Sequence, residues 1–298
     1  MMKETESWDH YRTFLAVLEE GSLSGAARAL GLTQPTVGRH MDALEAASGA
    51  PLFLRTPRGL LPTETALQMK RHAETMAATA AALARVASAA PGEVKGTVRI
   101  SASEVMGVEV LPPILAELQE SHPGLSVELS LSDAVEDLLR READVAVRMT
   151  APRQEMLLSR HVGAIPLGFY AHGHYLARHG TPASLKDLAG HRLIGFDREL
   201  AYVHALLREK PDFAALDFSF RTDSNLAQLA AIRAGIGIGM CQTGLARRDK
   251  DLVGLLAGAL DLKLETFVVM HEDLKTTPRF RVTFDALVNG LLAYIAEK

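Results

Sequence analysis

The stretch Gly21-Ser22-Leu23-Ser24-Gly25-Ala26-Ala27-Arg28-Ala29-Leu30-Gly31-Leu32-Thr33-Gln34-Pro35-Thr36-Val37-Gly38-Arg39-His40-Met41 decides how the N-terminal part of the chain folds. Gly21 stops a helix expected over residues 8–20, whose apolar face is Phe14, Leu15, Val17 and Leu18. Ser22-Leu23-Ser24 supplies an N-cap for a short helix through Ala26, Ala27 and Leu30. Gly31-Leu32-Thr33 then turns the chain. Thr33 is placed to cap a third helix running to about residue 46, and Pro35 is tolerated in its first turn because the missing N–H has no partner there anyway. Val37, Met41 and Leu44 fall on one face of that helix. Two short helices joined by a tight glycine-containing turn make a helix-turn-helix, and Ala27 and Gly31 are small where the helices approach.

With Val37, Met41 and Leu44 inward, a rotation of 100° per residue puts Arg39 nearly opposite, with Pro35, Thr36 and Ala43 beside it. Such an outward face at the helix N-terminal half suits the major groove of DNA. Arg55, Arg58 and Gly59 read as a wing or hairpin that touches phosphates. The plainer alternative is that these arginines form a solvated face.

Charge is distributed in keeping with a basic head on an acidic body. The chain has 298 residues and a formal net charge of -4. Between Arg28 and Arg58 stand Arg39, His40 and Arg55 against only Asp42 and Glu45, whereas the acidic excess lies from Glu93 onward. Hydrophobic residues make up 48% and charged residues 23%, values of a globular chain, and the length suggests about two domains. The single cysteine, Cys241, excludes an intramolecular disulfide framework and a cysteine-rich zinc site. The acidic start, Met1-Met2-Lys3-Glu4-Thr5-Glu6, lacks an apolar signal core, and no apolar run reaches the ~18 residues of a membrane span. A cytoplasmic, nucleoid-associated protein with no membrane partner is expected.

Residues 66–92 read as a linker helix. Ala66, Met69, Ala73, Met76, Ala80, Leu83 and Ala87 recur at alternating spacings of three and four, a heptad seam in an alanine-rich helix. Such a narrow apolar stripe pairs readily with a copy of itself. The alternative is that it packs on the protein's own body. Pro91-Gly92 ends the helix and marks a boundary.

From residue 93 on, strands and helices alternate. Strands are expected at 97–102, 126–131, 144–148, 167–171, 218–222, 236–240 and 267–271. Helices are expected at 111–119 after a start near Ser103, and at 135–141, 225–234 and 280–296. This order predicts an α/β domain with a mainly parallel sheet. Ser101 and Ser103 follow a strand and precede a helix, where free backbone N–H groups favour an anion, often a carboxylate. Thr222, Ser224 and Asn225 repeat that arrangement. Ser132 and Asp133 end the second strand, and Arg148 ends the next with its charge free to pair. Ligands of open α/β sheets sit outside the C-terminal ends of the strands, so these groups are expected to converge on one cleft. Ordinary helix capping explains each serine separately.

Other chemistry is poorly supplied. His172, His174 and His179 lack an acid or cysteine to complete a metal set. Cys241 has no second cysteine to resolve an oxidised form. Gly235-Ile236-Gly237-Ile238-Gly239 has the wrong spacing for a dinucleotide fingerprint. Neither Gly-x-Ser-x-Gly nor His-Glu-x-x-His occurs, so no catalytic residue, metal or cofactor is assigned and an enzyme is not expected.

Phe14, Val17, Gly21-Ser22-Leu23-Ser24, Ala26-Ala27, Leu30, Gln34-Pro35, Leu44-Glu45, Leu52-Phe53, Arg55 and Pro62-Thr63 together resemble the LysR-type bacterial transcriptional regulators. The resemblance is strongest over residues 8–66. Glu142-Ala143-Asp144-Val145-Ala146-Val147-Arg148 and Ala234-Gly235-Ile236-Gly237-Ile238-Gly239 look like recurring segments of the family's second domain. The resemblance implies an all-α head of winged helix-turn-helix type (1–65), a dimerising linker helix (66–92) and a C-terminal effector domain (93–298). The effector domain would resemble the periplasmic binding proteins, with two α/β subdomains, about 93–166 plus 266–298 and about 167–265.

The implied partners are double-stranded operator DNA, a small-molecule co-inducer between the subdomains, a second copy in a homodimer, a homotetramer beyond that, and RNA polymerase. Residues implied for pairing are Met69, Ala73, Met76, Ala80 and Leu83. Two positions depart from the family pattern. Gly38 stands where a serine is usual, which shifts weight to Gln34, Pro35, Thr36 and Arg39. Ala66 stands where a glycine is usual after the wing.

Overall fold

A computed structural model describes residues 7–57, 59–87, 93–131, 143–152, 156–196, 217–259 and 261–297. Arg58, Ser132, Asp133, the helix expected at 135–141 and Pro91-Gly92 lie outside these, as does the side chain of Ala87. The described chain divides into a head unit ending at Ala87 and a larger second unit.

In the head, α1 (Trp8–Glu20), α2 (Leu23–Leu30) and α3 (Gln34–Ser48) form where the sequence places them. Ser22 Oγ accepts from the Gly25 N–H and Thr33 Oγ1 from the Thr36 N–H, so each cap satisfies a donor that its helix leaves open. Phe14, Val17, Ala26, Ala27, Val37, Met41 and Leu44 bury together as the core. Strands β1 (Phe53–Thr56) and β2 (Gly59–Pro62) pair antiparallel as the wing. Gly21 and Gly59 both adopt positive φ, and the Gly21 carbonyl accepts from the Leu60 N–H at 2.8 Å. A Cβ on Gly59 would lie 2.8 Å from that same carbonyl oxygen, so the wing can approach the α1–α2 corner only through a glycine.

The linker helix α4 (Glu64–Ala87) changes the reading of the heptad seam. It leaves the wing at Thr63, whose Oγ1 accepts from the Ala66 N–H, and its first turns lie on the head's own core. Ala66 and Ala73 are buried there and Met69 packs against them. That half of the seam is therefore already used, which corrects the expectation of a stripe given wholly to a partner. Met76 and Ala80 are half-buried, and Leu83 is 70% exposed.

The second unit is built on strands β3 (Gly96–Ala102), β4 (Leu125–Leu131), β5 (Val145–Arg148), β6 (Leu157–His172), β9 (Gly239–Gln242), β10 (Leu252–Leu255) and β11 (Leu262–His271). Their order is β10-β6-β11-β5-β3-β4, with β9 also on β6. The sheet is mixed, not mainly parallel. Only β3 with β4 and β3 with β5 run parallel, while β11–β5, β11–β6, β10–β6 and β9–β6 are antiparallel. The cause is the length of β6 and β11. These two strands run through the domain and pair with each other, so everything hung on them meets an antiparallel edge.

A separate parallel pair, β7 (Leu193–Phe196) and β8 (Phe218–Thr222), carries the far side. The strand expected at 236–240 is displaced. Ile238 bridges Leu193, and β9 begins only at Gly239. Gly237 passes so close to Arg192 that a Cβ would fall 2.2 Å from the Arg192 carbonyl oxygen. Helices α5 (Leu111–Ser121) and α9 (Pro278–Ala296) cover the sheet with Leu111, Leu115, Phe280, Phe284, Leu287 and Leu291. A π-helical turn, Met106–Val110, separates β3 from α5. Between β6 and β10 also lie α6 (Gly173–His179), α7 (Asn225–Arg233) and α8 (Thr243–Arg247).

Glu45 ties the wing to α3. Its Oε1 accepts from the Leu52 N–H at 2.7 Å and from the Phe53 N–H at 3.4 Å, and Leu52 is fully buried. Glu45→Ala strands a buried donor, which costs about 1–3 kcal/mol. Hydrogen exchange of the intact protein is expected to show faster exchange at Leu52 and Phe53, with α1 unchanged. Unchanged protection at Leu52 would mean that the carboxylate does not hold the wing.

Candidate nucleic-acid and effector sites

Gln34, Pro35 and Arg39 are exposed on α3 and Thr36 is half-buried. A short hydrogen-bonded run links the cap to the arginine. Thr33 Oγ1 and Thr36 Oγ1 are 2.9 Å apart, and Arg39 Nη2 donates to Thr36 Oγ1 at 3.4 Å. Arg39 is thus oriented along the outer face of the helix. A Cβ at Gly38 would meet nothing within 4 Å, so the bare backbone there leaves open space on the helix surface. Arg55 is exposed on the wing, opposite Leu60. Arg58 lies outside the described residues.

In the second unit Ser103 and Ser224 stand at two strand-to-helix turns, whereas Ser101 lies within β3 and does not follow it, and the hydroxyls of Ser101 and Ser224 are already engaged. Ser101 is buried, and its Oγ accepts from Arg148 Nη2 at 2.9 Å. Arg148 is 6% exposed and its Nη1 donates to the Val147 carbonyl. This corrects the expectation that the Arg148 charge is free at the strand end. Burying a guanidinium demands hydrogen-bond partners, and the hydroxyl beside it on β3 is one. Ser103 is half-buried, and its carbonyl accepts from the Gly107 N–H.

Ser224 is the N-cap of α7. Its Oγ accepts from the Ala227 N–H at 3.3 Å and donates its one proton to Glu104 Oε2 at 2.8 Å. Thr222 Oγ1 accepts from the Ser224 N–H, and Asn225 opens the helix. The turns after β3 and after β8 therefore meet through a carboxylate of the chain itself. Ser132 and Asp133 lie outside the described residues.

Sequence reasoning passed over Glu104, Glu109, Gln228 and Arg233. Glu109 receives both arms of Arg233, at 2.7 and 3.0 Å, and Arg233 Nε also lies 3.5 Å from Asp249. The hydrogen bonds from Arg233 hold the Glu109 carboxyl below its ordinary range, against the opposing effect of burial. Arg248 Nη1 donates to the Glu109 carbonyl and its guanidinium lies over the Tyr294 ring. So α7 is held at its N-cap by Glu104 and at its last residue by Glu109. The partners lie more than a hundred residues apart in sequence, and no local spacing signals them. Gln228, one turn into α7, is 5% exposed, and among the described residues its Nε2 has no acceptor. Buried donors in this state call for an acceptor, since leaving one unmade costs on the order of 1–3 kcal/mol.

The other reactive groups have structural roles. Burial pushes the Cys241 thiol up to about 12, leaving no thiolate at neutral pH. His172 Nδ1 accepts from the His174 N–H as a helix cap, and His179 stacks on Tyr175. Among the described residues no three His, Cys, Asp or Glu side chains gather as a metal set, and no helix is long and apolar enough to cross a membrane.

A winged helix-turn-helix on a long helix, followed by a mixed α/β domain with a polar corner, is the plan of a DNA-binding regulator with an effector-binding domain. Comparison with known proteins identifies the family. Residues 8–67 match the bacterial regulatory helix-turn-helix proteins of the lysR family, and residues 91–291 match the LysR substrate binding domain. The chain belongs to the LysR family of DNA-binding transcriptional regulators, in which binding of a small-molecule effector by the second domain is typical.

It is 29% identical to the HTH-type transcriptional regulator CrgA of Neisseria meningitidis over 283 residues, 93% of this chain and 95% of that one. The solved structure of CrgA superposes with a TM-score of 0.59, covering 96% of this chain and 99% of that chain at 27% identity. CbnR, solved in complex with its target DNA, shares the fold with a TM-score of 0.70 at 21% identity, covering 96% of this chain and all of that one.

Arg39 and Arg55 predict different losses. Arg39→Ala is expected to weaken operator binding and relax base preference, because a bidentate arginine–guanine pair discriminates by ~1–3 kcal/mol. Arg55→Ala is expected to weaken all duplexes alike and to lower the salt slope by about one. Gel-shift titrations at several salt concentrations separate them. Unaltered base preference in Arg39→Ala would remove Arg39 from the base-reading set.

Proposed function

We propose that this regulator is switched by a small molecule that carries an acceptor group, in the simplest case a carboxylate, and that takes the place of the Glu104 carboxylate at the start of α7. The observation behind this reading is the Ser224–Glu104 hydrogen bond, in which a carboxylate already occupies the cap of a helix. The Nε2 of Gln228, one turn further along the same helix and without an acceptor among the described residues, supports this reading. Ser103, Thr222 and Asn225 border the same corner, with Ser132 and Asp133 following β4. Ser101 and Arg148 serve in this reading as its floor, bonded to each other.

The ligand acts only so far as it favours one arrangement of the subdomains over another. Those subdomains are about 93–166 with 266–298 and about 167–265. The chain passes between them along β6 and β11, where the register shifts between Thr266 and Phe267. On the DNA side, Gln34, Pro35, Thr36 and Arg39 read base edges, and Arg55 with Arg58 holds phosphates. Met76, Ala80 and Leu83, the part of the seam beyond the head's own core, pair with a second copy, with Met69 and Ala73 at the margin. Tetramer formation and contact with RNA polymerase at the nucleoid complete the proposal.

Two experiments test it. A thermal-shift screen of small carboxylic acids on the full chain is expected to give compounds whose affinity falls in Ser224→Ala. The same compounds should bind about tenfold tighter in Glu104→Gln, which retains the bulk of Glu104 but removes a like charge. Compounds indifferent to both substitutions would refute this site. For the assembly, Leu83→Glu places a charge in the paired helices and should dissociate the dimer in sedimentation. A normal oligomer with intact DNA binding would show that Leu83 faces elsewhere.

A further inference from the structure

His40 follows Arg39 in α3 and bonds back to α1. Its Nδ1 lies 2.8 Å from Thr13 Oγ1, and Thr13 is buried. The Thr13 hydroxyl donates its only proton to the Asp9 carbonyl at 2.6 Å, the usual choice of a threonine inside a helix. It can therefore only accept from the imidazole, which fixes the tautomer. His40 carries its proton on Nδ1, and neutral His40 turns a lone pair, not an N–H, outward from Nε2. The ring of His10, from the first turn of α1, stands 4.8 Å away and tilted by 53°. Both histidines are half-buried.

We propose that His40 takes up a proton when the head binds DNA, and in that form donates from Nε2 to a backbone phosphate. A neutral His40 offers a phosphate oxygen only a lone pair, and the two repel. The protonated ring keeps its bond to Thr13 through Nδ1–H and presents a charged donor at Nε2, the stronger kind of hydrogen bond to phosphate. Thr13 thus acts as the positioning group, and His40 as a phosphate contact that exists in one protonation state only.

The charged and titratable groups around His40 are His10 and Asp9 from α1 and Arg39 from its own helix. Burial, then His10, hold the imidazole below its ordinary range, and Arg39 adds to this, while Asp9 pulls the other way. In the free head the neutral form is therefore favoured at neutral pH. A phosphate at Nε2 favours the cation and raises the pKa, so binding takes up a proton between the free and the bound values. Affinity is full at low pH and falls as pH rises through the bound value.

The inference rests on α3 being the helix that faces DNA. Its test uses the full-length protein and a random-sequence duplex, because phosphate contacts do not depend on sequence. Between about pH 6 and pH 8 the wild-type Kd is expected to weaken by about three- to tenfold, and the salt slope to drop by about one. Calorimetry in buffers of different ionisation enthalpy should show proton uptake on binding.

His40→Asn keeps a donor for Thr13 and removes the ring's second nitrogen. It should bind with a flat pH profile and no His40-linked uptake. His10→Asn should retain the pH dependence, and His40→Lys should bind tightly across the range. A pH-independent wild type, or a pH dependence that persists in His40→Asn, overturns the proposal. Should Arg39→Ala still weaken binding in that case, the DNA-facing role of α3 stands and the histidine alone is rejected. If His40→Asn loses helicity, the His40→Lys profile and the ring-proton titration of wild-type His40 with and without duplex decide. An unshifted titration on binding is a refutation.

Discussion

The pairing of β6 with β11 is the interaction on which the second unit depends. It runs the full length of β11, from Leu262 against Leu167 to His271 against Leu157, with one shift of register between Thr266 and Phe267. Each of the two strands also carries other strands on its free edge. On β11 sits β5, and through it β3 and β4. On β6 sit β9 and β10. Remove this pair and no other ladder joins the two groups within the seven-stranded sheet. The bulge is placed accordingly, since an extra residue in one strand bends and twists the ladder where the strands pass from one group to the other. Gly163, at φ 122 opposite Thr266, absorbs the distortion.

Side chains add a second set of ties across the same domain. The π-helical turn after β3 begins two residues beyond Glu104 and contains Glu109, and the two carboxylates reach the N-cap and the last residue of α7. The two ties differ in strength. Glu109 meets Arg233 with two charge-assisted bonds in a partly buried setting, whereas Glu104 meets a neutral hydroxyl with one. Any rearrangement about α7 starts more easily at the Ser224 end.

Much of the head was legible in the sequence because its signals are local. Caps at Ser22 and Thr33, the stop at Gly21 and the inward spacing of Val37, Met41 and Leu44 each act within one or two turns. The second unit was legible only in part. Strand β8 and helix α7 follow their local patterns, but β6 was visible only over residues 167–171. Gly163, Pro166 and Gly168 interrupt its pattern, and long-range pairing with β11 overrides them. Strands β7 and β10 are short and carried no clear alternation. Ser103 and Ser224 do stand at the turns after β3 and β8, but Ser101 lies within β3, and nothing near these serines in sequence tells that Arg148 engages Ser101 and Glu104 engages Ser224. The seam of α4 is visible in the sequence as a spacing, but its first half goes to the head because the wing delivers the helix back onto Phe14 and its neighbours.

The contact between Glu104 and Ser224 also bears on sensitivity. Glu104 is attached to the same domain as its hydroxyl, so it competes at a fixed local concentration that dilution cannot lower. In the proposed switch a mobile anion would find the cap open only for the fraction of time that the tethered carboxylate is away, and its apparent affinity would be reduced by that fraction. The threshold at which such a molecule registers is then a property of the short chain between Ala102 and Glu104, separate from the contacts that recognise the molecule itself. A protein built this way can be retuned in dose without being altered in taste.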